Sequence, residues 1–407
     1  MAYFSSRKDG ALERAVVEYH SGNMSRRAFV RRAVSLGVTA GMAGALAHAW
    51  SGQALAQSTT TSERPAGSFD YIVIGSGSAG SAVASQLAHN SGGTVLVLEA
   101  GRNDDLDEVH NPQLWAASLG TDATKFFETT PQDHVDGRTH MWPRGNVLGG
   151  TSALNAMIFA RGHRSDYDSW AYAGNNGWSF EEVLPHFKAM ETFAGGSSEL
   201  RGDSGPIYIS QPADDKKHEG AIAFMDSCAD LGFQETASLN SERMSGQAWV
   251  DFNIKDFKRQ SSATAFLRPA MEKDNITVLT DAPVTKLTMN GTTCTGVTYL
   301  HNGEPVSVEA TREVVLSAGA IDSPKLLMLS GIGPSADLQA VGIDPIVDLP
   351  VGRGLQDHVL GAGVNYEATG PVPLSHYNHS EVYMWERSDG RLPAPDLITL
   401  YVSVPFA

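Results

Sequence analysis

Apolar positions in this chain come as short unbroken runs bounded by turn residues rather than as long helical stripes. Tyr71–Ile74 is one such run and Thr94–Leu98 a second, and both read as buried strands. Between them, Ser78–Ala88 repeats its apolar residues at helical spacing. Leu154–Ala160 fits either a helix or an extended segment. Farther on, Ile276–Leu279, Val284–Met289, Thr295–Tyr299 and Val306–Ala310 read as short strands, with Asn290-Gly291 and Asn302-Gly303 among the turns, so a β-meander is predicted there. Val314–Leu316 follows as a strand, Ser317-Ala318-Gly319 as a small-residue turn and Ser323–Leu329 as a short helix. Ser323 is placed to cap that helix, Pro324 suits its first turn and Gly331 closes it.

The first strand breaks into Gly75-Ser76-Gly77-Ser78-Ala79-Gly80, and the second ends in Glu99, 24 residues after Gly75. Strand, glycine turn, helix, strand and acid is the order of a dinucleotide-binding βαβ unit. Gly75 permits the tight turn, Gly77 lets the backbone approach a pyrophosphate, and Gly80 lets the helix pack closely on the strand. The helix N-terminus offers free N–H groups and a positive dipole end to phosphates. Glu99 is placed to accept hydrogen bonds from ribose hydroxyls, and an acid at this position disfavours a 2′-phosphate. A glycine-rich turn can also be purely structural, but the flanking strands and the terminal acid favour the nucleotide.

Net charge is −16, which repels nucleic acid and anionic lipid and argues against either as a partner. The 41 glycines concentrate around candidate cofactor loops, and the two cysteines, Cys228 and Cys294, have no metal-ligand spacing. Both read as structural thiols, with a disulfide between them left open. Near the N-terminus, Ser25-Arg26-Arg27-Ala28-Phe29-Val30 precedes the short apolar stretch Ala33–Ala47 and the small-residue site Ala54-Leu55-Ala56. That is the pattern of a twin-arginine export signal over residues 1–56, followed by a polar linker over 57–67. The stretch is too short and too rich in glycine to span ~30 Å of hydrocarbon. A periplasmic or otherwise exported protein, engaged by the twin-arginine export machinery, is expected.

Two further clusters carry candidate chemistry. In Met141–Gly162, Arg144-Gly145 and Gly149-Gly150-Thr151-Ser152 supply bare N–H groups and hydroxyls that can lie flat against a planar ligand. In Glu313–Pro334, the small-residue turn resembles a return of the chain to a nucleotide. Together with the first unit, these stretches are similar to the glucose–methanol–choline (GMC) flavoprotein oxidoreductases, choline dehydrogenase among them. The match rests on Trp142-Pro143-Arg144-Gly145 through Asn155, on Ser317-Ala318-Gly319 through Gly333, on Gln260–Pro269 and on Leu355-Gln356-Asp357-His358.

The resemblance implies an α/β chain, α+β overall. A Rossmann-like FAD-binding domain (68–161 and 260–343) would be interleaved with an antiparallel-sheet substrate domain (162–259 and 344–407). It implies FAD held by Gly75, Ser76, Gly77, Ser78, Ala79 and Gly80 at the pyrophosphate and by Glu99 at the ribose. Arg144, Gly145, Leu148, Gly149, Thr151, Asn155, Ala156 and Met157 would lie along the flavin, Val284 at the adenine, and Ala318 and Gly319 over the nucleotide. Asp357 and His358 would return toward the cofactor. Leu154 stands where some members carry a flavin-linked histidine, so the FAD is expected to be non-covalent.

The implied reaction is oxidation of a small-molecule alcohol by hydride transfer to flavin N5, with electrons passed to a quinone or haem carrier or to oxygen. No stretch matches the family's catalytic histidine, so no catalytic residue is assigned. The apolar run Leu397–Ala407 does not read as a natural domain end, and the base is expected beyond residue 407. Alternatives are a truncated or inactive FAD-binding protein, a nicotinamide-dependent dehydrogenase sharing the opening βαβ unit, and a fold redirected to lyase chemistry.

Overall fold

The computed structural model describes residues 65–359 and 363–404, with Ser25, Ala28, Arg31 and Arg32 ahead of them. Arg26, Arg27 and the apolar stretch of the expected export signal lie outside the described residues. Among the described residues, no helix is long and apolar enough to cross a membrane.

Strand β1 (Gly67–Ile74), helix α1 (Ser78–Asn90) and strand β2 (Val95–Leu98) form the opening unit as predicted. A hairpin of β3 (Thr124–Glu128) and β4 (Met141–Gly145) follows. Then come helix α2 (Glu219–Asp230) and strands β5 (Gly246–Trp249), β6 (Ile276–Leu279), β7 (Val284–Asn290), β8 (Thr293–His301) and β9 (Glu304–Leu316). Helix α3 (Gly319–Leu329) and strands β10 (Val382–Glu386) and β11 (Leu397–Leu400) complete the set used below.

The main sheet runs β6-β2-β1-β9-β8-β7. Its first four strands are parallel, and β9, β8 and β7 continue it as an antiparallel meander. Unbroken apolar runs are needed at its centre because both faces are covered. Ile72, Ile74, Leu96 and Leu98 point to one side, against Leu287, Val297 and Tyr299 of the meander and Leu326 of α3. Val73, Val95 and Val97 point to the other, against Ala84 and Ala88 of α1 and Leu267 and Ala270.

Three predicted elements are corrected. Ile276–Leu279 is not part of the meander; it pairs in parallel with β2 as the outer strand. Val306–Ala310 and Val314–Leu316 are one strand, β9. Its polar interruption is absorbed by a register shift opposite Asp70, which accepts a hydrogen bond from Thr311 Oγ1 at 2.9 Å and faces Arg312 Nε at 3.2 Å. Helix α3 starts at Gly319, so Ser323 lies inside it and does not cap it, and Pro324 sits in the interior. Gly331 ends that helix in the left-handed region, φ +86°, as expected.

A second, antiparallel sheet has the order β11-β10-β5. Helix α2 covers one side through Ala221 and Met225, while Met157, Val250, Phe252 and Tyr377 form an apolar cluster with Ala248 and Tyr383 of the sheet. Leu154–Ala160 is not a helix, and Ile158 makes an isolated bridge to Phe252. Both cysteines are free thiols, Cys228 buried in α2 and Cys294 partly buried in β8.

Candidate cofactor site

The chain leaves β1 through Gly75 at φ +88°, a conformation only glycine adopts without strain. A Cβ there would lie 2.7 Å from Ser317 O, so β9 closes against the turn. A Cβ at Gly80 would sit 1.9 Å from Gly75 O, which is the close packing predicted for this position. Helix α1 then starts at Gly77 with no side-chain cap and no acid in its first turn. Its first N–H groups have no partner within the helix and face the ligand space.

That space is a cleft of about 770 Å³, within the range of ligand pockets. It is lined by eleven of the residues singled out from sequence: Gly75, Gly77, Ser78, Ala79, Glu99, Arg144, Gly145, Thr151, Val284, Ala318 and Gly319. The second wall interlocks with the first. Gly149 N donates to Ser76 O at 3.1 Å, and a Cβ on Gly150 would meet Gly77 Cα at 2.7 Å. Two stretches far apart in sequence thus approach backbone to backbone, and the approach requires glycine at 150, where φ is +54° and a Cβ would clash.

Glu99 lies at the floor, 6% exposed. Its Oε2 accepts from Ser76 N at 2.9 Å and Ser76 Oγ at 2.7 Å, and its Oε1 accepts from Gly101 N at 2.8 Å. Burial pushes its carboxyl above the usual range, while the Ser76 and Gly101 donors work against that shift. Three of about four acceptor positions are therefore filled by the chain itself, leaving capacity for one incoming hydroxyl. The carboxylate organises the glycine turn as well as facing the cleft.

Other predicted residues support the wall from behind. Ser76 is fully buried under the turn, and Leu148, 1% exposed, packs in the apolar cluster beneath α1. Met157 is fully buried against Val250 and Phe252 at φ +58°, so its side chain belongs to a core. Asn155 is exposed, and Ala156 O accepts from Asn378 Nδ2. Asp357 and His358 do not line the cleft; they lie on an exposed segment where His358 N donates to Asp357 at 2.8 Å.

Residues missed from sequence complete the cleft. Lys125 and Phe127 of β3 and Asp322 and Lys325 of α3 line it, and Lys125 Nζ lies 3.3 Å from Asp322. With Arg144, two lysines thus give the cleft three cations, suited to a ligand with phosphates. The β-branched and aromatic residues of Thr124–Glu128 would have suggested a strand, but nothing local ties it to Gly75. Ser317 Oγ donates to Ile74 O at 2.9 Å and holds the two strand ends together.

The GMC oxidoreductase family model matches residues 69–360. The chain belongs to the GMC oxidoreductase family. Human mitochondrial choline dehydrogenase is 38% identical over 315 residues, covering 75% of this chain and 52% of that protein. The chain therefore spans about half the length of this curated relative. Among solved structures, pyridoxine 4-oxidase from Mesorbium loti superposes with a TM-score of 0.76 at 36% identity, covering 82% of this chain and 70% of that one. Formate oxidase from Aspergillus oryzae, in a study of its FAD modification, matches with a TM-score of 0.68 at 27% identity, covering 80% and 62%. The mixed α/β fold with its glycine-rich nucleotide unit is the fold of this GMC chain.

Proposed function

We propose that this GMC chain binds FAD non-covalently in the cleft and serves an enzyme that oxidises the CH–OH group of a small alcohol. The observation that carries the reading is the cleft beside an uncapped helix N-terminus whose two walls close at Gly77 and Gly150, so tightly that a Cβ on Gly150 would lie 2.7 Å from Gly77 Cα. Bound FAD would supply the hydride acceptor. The chain's own residues do the holding. The first turn of α1 meets the pyrophosphate, and Glu99 has one acceptor position left for a ribose hydroxyl. Arg144 and Lys125 offer charge-assisted donors at the rim. Leu154 is a residue that cannot bond covalently to the flavin.

Among the described residues no histidine lines the cleft, so no proton acceptor is assigned to it. That same observation favours a second reading, an FAD-binding chain with no turnover of its own. Choline-like and aromatic primary alcohols suit the reaction class. The human relative is named a dehydrogenase and two structural relatives are named oxidases, which supports either an electron carrier such as a quinone or haem protein, or oxygen, as the acceptor. Export by the twin-arginine route is supported by the Arg26-Arg27 pair ahead of a short apolar stretch.

Purification tests the cofactor. The protein should carry absorbance near 450 nm or acquire it on adding FAD, whereas a colourless protein that takes up NAD instead would refute the reading. A panel of alcohols under anaerobic conditions then separates the two functional readings, since only an active enzyme bleaches the flavin. Fractionation of cells expressing the protein and an Arg26→Lys, Arg27→Lys variant tests export, with the variant retained in the cytoplasm.

A further inference from the structure

Arg259 is the largest fully buried side chain of the described residues, 1% exposed, and no carboxylate reaches it. Every acceptor it meets is neutral. Its Nε donates to Val109 O at 2.6 Å, and its Nη1 donates to Ser152 O at 3.2 Å, Asn155 O at 2.6 Å and Asn155 Oδ1 at 2.8 Å. Its Nη2 is buried with no partner at all. Burial pushes the guanidinium down to about 9, still well above neutral, so it carries its charge. A buried charge without a counter-charge is costly, and proteins keep one where something else uses it.

Its position supplies that use. Ser152 and Asn155 end the loop that brings Gly150 and Thr151 to the cleft. Asn155 Oδ1 also accepts from Met157 N at 3.1 Å, so two donors hold the amide oxygen inward and its NH2 group faces out. We infer that Arg259 is a positioning residue of the cofactor site, locking the Asn155 amide and setting a fixed positive charge behind the loop, where it favours the reduced, more negative form of the bound FAD. The inference rests on the reading that the cleft holds FAD. A fixed positive charge in a water-poor site acts on a charge that develops nearby without having to reorganise.

The test is the reduction equilibrium of bound FAD, measured against a reference dye, with melting temperature recorded alongside. Arg259→Gln keeps an NH2 donor for the carbonyls but loses the charge; Arg259→Lys keeps the charge. The reduced-to-oxidised ratio of bound FAD at a fixed dye potential should fall at least tenfold in R259Q, ~30 mV for a two-electron couple, and stay within about threefold of wild type in R259K. Both variants melting lower with an unchanged equilibrium would overturn the inference and leave Arg259 a tie between loops. Should neither variant hold FAD, wild-type protein with 15N-labelled arginine decides. The buried guanidinium resonance should move when bound FAD is reduced, and an unmoved resonance overturns the inference. Wild-type protein that takes no FAD refutes the cofactor reading itself, a separate result from a loaded protein with an unchanged equilibrium.

Discussion

Replacing Gly80 and Gly77 one at a time separates the packing of the glycine turn from its service to a ligand. In Gly80→Ala the new Cβ would lie 1.9 Å from Gly75 O and 2.7 Å from Ser317 Oγ. An ordinary C···O contact is about 3.3 Å, so the helix must back away by roughly 1.4 Å or the turn must deform. Overpacking of this kind costs about 1–3 kcal/mol, and because the obstacle is backbone the upper end applies. Alanine in a helix returns about 1 kcal/mol. A net loss on the order of 2 kcal/mol is expected, a fall of several degrees in the melting temperature.

In Gly77→Ala the Cβ would meet only Gly150 Cα, at 3.9 Å, and φ is −65°, so the free protein should melt within about 0.5 kcal/mol of wild type. The methyl group would instead occupy space over the helix N-terminus, and FAD affinity should drop at least tenfold, ~1.4 kcal/mol. Thermal melts of FAD-free protein and a fluorescence titration with FAD measure the two effects. A G77A protein that binds FAD as tightly as wild type would show that the cradle has been assigned to the wrong ligand space. A G80A protein with an unchanged melt would refute the packing account.

Glu99→Gln removes one acceptor from the Ser76 and Gly101 donors, leaving an N–H facing an NH2 group. Equilibrium denaturation should show a loss of about 1–3 kcal/mol, and a smaller change would mean that the turn rearranges around it. Glu191→Ala strands the buried Arg161 guanidinium, 2.7 Å from its carboxylate in the wild type, and takes from Arg201 one of two carboxylate partners, leaving Asp251 at 2.7 Å; urea melts should report about 3–5 kcal/mol. His379 is buried at φ +70° with its Nε2 3.1 Å from Gln113 O, and burial holds its imidazole below the usual value of 6.5. The folded state then binds fewer protons than the unfolded one. Its contribution is complete above pH 6.5 and is lost as pH falls through the lowered value, at up to ~1.4 kcal/mol per unit. His379→Asn, which tolerates the left-handed backbone, should flatten that part of the stability profile; an unchanged profile would assign the slope to other groups.

The local order of β1, the glycine turn, α1, β2 and Glu99 was legible because every link in it is set by neighbours in sequence. Apolar runs demand burial on two faces, glycines mark the turn, and a strand end exposes its acid. The meander strands and the helix-closing role of Gly331 were legible for the same reason. The bounds of β9 and α3 were not. The polar residues Thr311 to Glu313 look like a break until Asp70 of the neighbouring strand is there to meet Thr311 and Arg312. Ser323 looks like a cap until the turn at Gly319 starts the helix earlier.

The chain by itself determined a nucleotide unit and the three glycine-bearing stretches of the family. Only the tertiary structure decided which face of each stretch meets the cleft. It turned Leu148 and Met157 into core, left Asp357 and His358 outside, and brought Lys125 and Asp322 together across 197 residues. Sequence periodicity reports that a side chain is buried, but burial against protein and burial against a ligand have the same apolar signature. The difference lies in which distant backbone arrives on the other side, as Gly150 does at Gly77.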